Sequence, residues 1–194
     1  MIIIMGLPGV GKSTLLSRII EKNSNLKIIN YGDLVLYSAS KKFNIIDRDK
    51  INNLSIKNHL AIQREAIKQI EKEIRDAESE GKILILDTHA ALKKPAGYLP
   101  GLAPEIFKLP IYGFIFIDAP TNEILERREK DKKRKRPKME KEEINELREI
   151  SLSFISQYSA ASGKPFFILI NRKGKIDRTV IELEGIIEKL ISKI

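Results

Sequence analysis

Short apolar runs alternate with longer amphipathic stretches along most of this chain. Aliphatic and β-branched residues fill five short runs, which is typical of strands buried in a parallel sheet. The predicted strands are 1–5, 26–30, 82–87, 111–118 and 165–170. The predicted helices are 12–23, about 53–80, 122–130, 141–159 and 178–193. Because strands alternate with helices, we predict an α/β fold with a five-stranded parallel sheet that carries helices on both faces.

Two segments interrupt this alternation. Residues 31–52 mix polar, aromatic and charged positions, and residues 90–110 are so rich in proline and glycine that we predict an irregular loop. Each segment follows the end of a predicted strand, where open α/β sheets place their ligand sites. We therefore expect both segments to serve a site. Thr121 is predicted to cap one helix, and Gly81 to end another.

The clearest chemical signal follows the first strand. Residues 6–13 read GLPGVGKS and match G-x-x-x-x-G-K-[ST], between a predicted strand and a predicted helix, as a P-loop requires. The glycines let backbone amides surround an anion, and Lys12 can reach the β- and γ-phosphates of a nucleotide. The Ser13 hydroxyl can bind Mg²⁺. The predicted nucleotide-binding residues are Gly6, Leu7, Pro8, Gly9, Val10, Gly11, Lys12, Ser13 and Thr14.

Composition narrows the possible chemistry. The 194 residues suit a single domain, and no apolar run is long enough to cross a bilayer, so we predict a cytoplasmic protein with no membrane partner. The absence of cysteine excludes disulfides and thiolate metal sites, and with two histidines the natural metal is Mg²⁺ on oxygen ligands. The net charge of +9 favours polyanions, although a solvated surface rich in Lys and Glu gives the same balance.

Several single residues are candidates for the site. Asp87 ends a predicted strand, as the Mg²⁺-orienting acid of P-loop proteins does, with a turn-capping role as the alternative. Asp118 also ends a strand, but the Ala-Pro-Thr that follows it favours a turn or cap. His89 could contact substrate or bond the loop backbone, whereas His59 lies in a long helical pattern and is predicted to be structural.

Residues 126–138 carry the densest positive charge of the chain. Arg127 and Arg134 are seven residues apart and share a face if the helix continues toward Pro137. Arginines near the sheet edge suit a clamp over transferring phosphates, because each can bind two oxygens. A solvated face and a nucleic-acid strip are the alternatives. The run has no aromatic residue to stack bases, so we do not expect a nucleic-acid partner.

Further motifs occur in a fixed order: GLPGVGKST at 6–14, NYGD at 30–33, DRD at 47–49, DTHA at 87–90, GYLPGL at 97–102, and an R-x6-R-x-R pattern met by Arg127, Arg134 and Arg136. Together they resemble the archaeal type of adenylate kinase over nearly the whole chain. The resemblance implies a single P-loop NTPase domain (1–194) with its core at 1–30, 81–126 and 139–194. It also implies a segment that binds the nucleoside monophosphate (about 31–80), a short lid (about 127–138) and a homotrimer.

The same resemblance implies the reaction ATP + AMP ⇌ 2 ADP with Mg²⁺, which maintains the balance of adenine nucleotides. Lys12, Arg127, Arg134 and Arg136 would be catalytic, and Ser13 and Asp87 would hold the metal. Tyr31, Gly32 and Asp33 would begin the AMP site, with His89 nearby, and the loop 171–175, which begins at Asn171, would border the adenine of ATP. The arginines that most relatives use for AMP are absent here, and the nearest basic residues are Arg48 and Lys93.

Two other functions fit the same residues. A related kinase could prefer CMP, UMP or GMP, because base choice depends on a few pocket residues. The chain could instead be a basic P-loop ATPase that acts as an RNA- or ribosome-associated switch. The arginine pattern favours a kinase, and net charge alone does not separate the two classes.

Overall fold

The computed structural model describes residues 1–94, 97–131 and 139–192. The strands in these ranges are β1 (Ile2–Gly6), β2 (Leu26–Asn30), β3 (Ile83–Asp87), β4 (Ala91–Lys94), β5 (Gly97–Pro100), β6 (Gly113–Asp118) and β7 (Phe166–Ile170). The helices are α1 (Lys12–Lys22), α2 (Tyr31–Phe43), α3 (Arg48–Asn52), α4 (Ile56–Ser79), α5 (Thr121–Lys130), α6 (Lys141–Ser162) and α7 (Ile176–Ile191), with a 3-10 helix at Pro104–Lys108. All five predicted strands and all five predicted helices are present.

Five strands form one parallel sheet in the order β2-β3-β1-β6-β7, which confirms the predicted sheet. Helices cover both faces. A Cβ at Gly113 would lie 2.5 Å from Leu190 of α7, whereas the ring of the next residue along β6, Phe114, lies 6.4 Å from the ring of Tyr158 of α6. Since neighbouring residues of a strand point to opposite faces, α6 and α7 lie on opposite sides of the sheet. This burial explains why β1 is uniformly apolar.

The register brings the functional ends of the strands together. β1 lies at the centre, with Ile4 opposite both Asp87 of β3 and Ile115 of β6. Asn30, the last residue of β2, is paired in turn with Asp87. Because all these strands are parallel, the loop after β1 meets the ends of β2, β3 and β6 at one edge of the sheet.

The segment 31–52, which showed no clear pattern, is largely helical. The Asn30 side chain accepts a hydrogen bond from the Asp33 amide at 3.2 Å and so caps α2, which packs against α4. Asn44 ends α2 in the left-handed conformation with φ +55°. On α2 the polar Ser38 is buried and the aromatic Tyr37 is 53% exposed, so apolar positions do not mark the buried face clearly.

The prediction of an irregular loop over 90–110 was partly wrong, because β4 and β5 form an antiparallel hairpin there. The hairpin is closed onto the sheet at Gly101, where a Cβ would lie 1.9 Å from the His89 carbonyl oxygen. The hydroxyl of Tyr158 secures this approach, since it donates to the Ala90 carbonyl at 2.8 Å and accepts from the Gly101 amide at 3.0 Å.

Helix ends also differ in part from the predictions. Gly81, with φ +66°, follows α4 as predicted. Thr121 is not a cap: Pro120 precedes the helix, and the Thr121 hydroxyl donates to Asn145 of α6 at 2.8 Å. α5 ends at Lys130, as predicted, so Arg127 lies in its last turn, whereas Arg134 lies outside the described residues. Among those residues, no helix has both the length and the apolar content needed to span a membrane.

Candidate nucleotide-binding site

The loop between β1 and α1 has the backbone form that anion binding needs. Gly11 adopts a left-handed conformation, with φ +86°, immediately before the first residue of α1. The first turn of α1 carries no acidic side chain, so its amides keep their positive potential. This is the position at which the sequence predicts the phosphates of a nucleotide.

Lys12 and Asp87 form an ion pair at the floor of this loop. Their side chains are each 9% exposed. The second oxygen of Asp87, Oδ2, accepts a hydrogen bond from Asn30 Nδ2 at 2.8 Å. The carboxylate is therefore held from two sides. The phosphates of a nucleotide would compete with it for the Lys12 ammonium.

The predicted metal ligands are chemically suited to Mg²⁺. Ser13, exposed in the first turn of α1, and Asp87 offer hard oxygen donors of the kind this cation prefers. In the described parts of the chain, no group of three or more acidic, histidine or cysteine side chains could hold a metal by itself. Such a donor set fits a cation that keeps several waters and is shared with nucleotide phosphates.

Arg127 lies behind the phosphate-binding loop rather than in front of it. Its guanidinium donates to the Val10 carbonyl at 2.9 Å and to the Asn171 carbonyl at 3.0 Å, and it pairs with Glu123 at 2.7 Å. The adjacent Arg128 donates to the Pro8 carbonyl at 3.4 Å. Sequence reasoning missed Arg128, and the only available signal was the Arg-Arg doublet.

The loop after β7, predicted to border adenine, is attached to α5. The Lys173 amide donates to Glu123 at 2.6 Å, and the Lys173 ammonium contacts Glu126 at 2.7 Å. Hydrogen bonds from Lys130 and Lys173 lower the pKa of Glu126 to about 2, so this carboxylate stays ionised in neutral solution. α5 therefore holds both the phosphate-binding loop and the loop after β7.

The predicted AMP residues gather where β2 meets α2. Arg48 forms an ion pair with Asp33, and its Nη1 would lie 3.3 Å from a Cβ on Gly32. Tyr31 points away from this cluster. Its side chain is buried, with the hydroxyl 3.4 Å from the Gln63 carbonyl, and burial raises the pKa of the phenol.

His89 and Lys93 follow β3 and contact different partners. His89 Nδ1 lies 2.7 Å from the Gly6 carbonyl oxygen, which can only accept, so this ring nitrogen carries the proton. Lys93 donates to Glu143 of α6 at 2.9 Å, and this hydrogen bond raises the lysine pKa. The His89 side chain thus contacts the backbone of the phosphate-binding loop, while the Lys93 side chain is bound to α6.

The remaining candidates fall outside this cluster. Arg134 and Arg136 lie outside the described residues, so their roles remain predictions. Asp118 does more than end a strand at a turn or cap, because its Oδ2 accepts a hydrogen bond from Arg148 Nε of α6 at 2.8 Å. His59 is buried on α4, in keeping with the structural role predicted for it.

Comparisons with known proteins agree with the fold. The AAA domain family matches residues 5–145. The crystal structure of a shikimate kinase from Bacteroides thetaiotaomicron superposes with a TM-score of 0.59 at 15% identity, covering 96% of this chain and 97% of that one. The fold and the loop 6–14 together define a P-loop nucleotide-binding domain.

The sequence relatives narrow the class. An adenylate kinase of Thermoplasma acidophilum is 35% identical over 186 residues, which are 95% of this chain and 97% of the relative. An adenylate kinase of Saccharolobus solfataricus is 39% identical over 134 residues, 66% and 68% of the two chains. The chain belongs to the adenylate kinase family.

Proposed function

We propose that this protein is an adenylate kinase, a phosphotransferase with a phosphate group as acceptor that interconverts ATP and AMP with two ADP and so maintains the adenine nucleotide balance. The observation that carries the proposal is the Lys12–Asp87–Asn30 chain of contacts. Lys12 belongs to the donor loop, and Asn30 directly precedes the segment (about 31–80) predicted to bind AMP. Relatives that match along nearly the whole chain support the same activity.

The donor side would bind and orient ATP. Amides of the loop 6–14 and the Lys12 ammonium would hold the β- and γ-phosphates, with Arg134 and Arg136 closing over them. Arg127 of α5 would support the loop through the Val10 and Asn171 carbonyls. When bound, Mg²⁺, held by Ser13 and Asp87, would neutralise charge on the transferring phosphate. No general base is needed, because the acceptor is an anionic phosphate oxygen.

The acceptor side would bind AMP between the end of β2 and the hairpin. Gly32, Asp33 and the backbone of Tyr31 would line the nucleoside, and Arg48 would leave Asp33 to contact the AMP phosphate. His89 and Lys93 lie in the segment that follows β3, which would border the AMP site. The segment 31–80 and the lid 127–138 would close together, because water would otherwise compete as the acceptor.

We also propose that the protein is located in the cytoplasm, the compartment in which cells keep ATP and AMP. We further propose that it assembles as a homotrimer. The surface of edge strand β7 supports self-association: Phe166, Ile168 and Ile170 share one face of the strand and are 37%, 50% and 40% exposed. Light scattering should give three times the 22.1 kDa mass of one chain. Ile168→Lys should reduce that mass, and a monomeric wild type would contradict the trimer.

The function is tested by incubating MgATP with AMP, CMP, UMP or GMP, or alone, and separating the products by chromatography. We expect rapid ADP formation with AMP only. Equal rates with another monophosphate would identify a kinase of different base preference. Slow hydrolysis without acceptor, stimulated by RNA, would identify a nucleic-acid-linked ATPase and contradict the proposal.

A further inference from the structure

The Val10 carbonyl lies on the outer side of the phosphate-binding loop and accepts two hydrogen bonds. One comes from Asn171 Nδ2 at 2.7 Å, and the other from Arg127 Nη1 at 2.9 Å. Val10 is fully buried and Asn171 is 4% exposed, so water does not compete for this oxygen. Hydrogen bonds in such surroundings are stronger than at the surface and are costly to leave unmade.

The peptide group links this carbonyl to the next amide. The Val10 carbonyl and the Gly11 N–H belong to one planar unit, in which the two bonds point in opposite directions. A donor that holds the carbonyl toward the outside therefore turns the Gly11 N–H toward the inside of the loop. That is the side on which the loop 6–14 would bind phosphate.

Asn171 fits this position closely and is itself held in place. A Cβ on Gly11 would lie 2.5 Å from Asn171 Nδ2, so the carboxamide occupies the space that the glycine leaves open. The Asn171 amide donates to the Asp118 carbonyl at 2.7 Å, and its carbonyl accepts from Arg127 at 3.0 Å. The Asn171 side chain is thus attached to a backbone whose amide and carbonyl are both hydrogen-bonded.

We propose that Asn171 is a positioning residue for phosphoryl transfer: its carboxamide holds the Val10–Gly11 peptide so that the Gly11 N–H faces the phosphates of ATP. The inference rests on the proposed function and adds a residue that does not itself touch the phosphates. Asparagine suits the position because it is short and carries a donor. Aspartate would place a second acceptor against the carbonyl, and alanine would leave only Arg127.

Two variants test the role. Asn171→Asp keeps the shape and removes the donor, and Asn171→Ala removes the donor without adding charge. Misplacing a catalytic group by about 1 Å can lower the rate by about 100-fold, so both variants should lose up to about that much kcat/KM for ATP. The KM for AMP should stay within about twofold, because Asn171 contacts only the donor side.

Spectroscopy separates positioning from a general structural role. In an amide-resolved NMR titration with ATP, the Gly11 amide of the wild type should shift strongly, and in Asn171→Ala that shift should be reduced. Asn25→Asp is the matched control, because it adds the same charge at an exposed position and should leave both kinetics and spectra unchanged.

Three outcomes would overturn the inference: an unchanged kcat/KM for ATP, an unchanged Gly11 shift, or equal losses for ATP and AMP that accompany a lowered melting temperature. Failure of the proposed function itself would look different. In that case the wild type itself would form no ADP from ATP and AMP, so the result would not depend on any Asn171 variant.

Discussion

The proposed donor and acceptor sides of the site are built in different ways. On the donor side, Lys12, Asp87 and Asn171 are 8%, 6% and 4% exposed, and their polar atoms are held by buried contacts. On the acceptor side, the side chains of the Arg48–Asp33 pair are 49% and 67% exposed, and those of the Lys93–Glu143 pair 45% and 40%. Exposed ion pairs contribute about 0–1 kcal/mol, whereas breaking a buried pair costs several times more. From this comparison we expect the donor loop to have its binding geometry before nucleotide binds. On the acceptor side, a substrate phosphate can replace the carboxylate partner of Arg48 or Lys93 at a small cost in free energy.

The largest effect is expected at Lys12. Lys12→Met should lower kcat by about a thousandfold, because it removes the positive charge that faces the transferring phosphate. It should also cost up to about 3 kcal/mol of unfolding free energy, because it leaves the Asp87 carboxylate buried without its ion pair. Steady-state kinetics and urea unfolding measure the two effects.

A second substitution separates catalysis from stability at this position. In the double variant Lys12→Met with Asp87→Asn, the unpaired charge is gone, so stability should largely return while activity stays low. Undiminished turnover in Lys12→Met would contradict the assignment of the phosphate-binding loop. Full activity in the double variant would contradict it as well.

At the exposed pair of the acceptor side, we expect a smaller and selective effect. Arg48→Met should raise the KM for AMP by about 10- to 100-fold, since a charged hydrogen bond to phosphate contributes about 1.5–3 kcal/mol. The KM for ATP should not change. Asp33→Asn is the matched control that frees Arg48 without removing it, and it should change stability by less than about 1 kcal/mol. Equal effects on both substrates would contradict the division into two sides.

The signals from which the donor side is predicted are local. The spacing of Gly6, Gly11, Lys12 and Ser13 and the carboxylate at the end of β3 are visible in short stretches of chain. The same is true of the sheet, whose strands read as apolar runs because both of its faces are buried. Local pattern therefore identified the strands, the order of the elements and the P-loop motif between β1 and α1.

Contacts between distant residues could not be predicted in this way. Nothing near Asn171 indicates that its side chain reaches Val10, 161 positions earlier. The hairpin of β4 and β5 was missed because the prolines and glycines of residues 90–110 indicated an irregular loop. Its attachment to the sheet joins Gly101 to Tyr158, 57 positions away. Lys93 was assigned to AMP as the basic residue nearest the position of an arginine in most relatives, and its hydrogen bond to Glu143 on a later helix was not foreseen. These features depend on packing, which periodicity does not report.

His59 is a buried exception on the acceptor side, and it predicts a pH dependence. It lies on α4, 4% exposed, and neither ring nitrogen has a hydrogen-bond partner among the described residues. Burial, aided by the charge of Lys94, lowers its pKa to about 4 from an ordinary value of 6.5. Between these values the unfolded chain binds a proton that the folded chain does not, so stability is complete above about pH 6.5 and falls as the pH drops toward 4.

The expected loss is about 1–2 kcal/mol between pH 7 and pH 5, measured by urea unfolding at each pH. His59→Met should remove this part of the acid sensitivity while keeping an apolar side chain of similar reach. The comparison is made between slopes with pH, because the substitution can also shift stability at neutral pH. Identical slopes in wild type and variant would show that His59 is not the group responsible.

The smallest effect is expected at Lys93, where the acceptor side meets α6. Glu143 accepts from Lys93 through Oε1 and from the Glu140 amide, at the start of α6, through Oε2. Lys93→Met should raise the KM for AMP by only about three- to tenfold, since lysine offers a point charge rather than a paired contact. Glu143→Gln weakens the competing pair, so it should leave the KM for AMP unchanged or lower it. If Glu143→Gln instead raises that KM as much as Lys93→Met does, the ion pair itself supports the site, and Lys93 does not exchange Glu143 for the substrate phosphate.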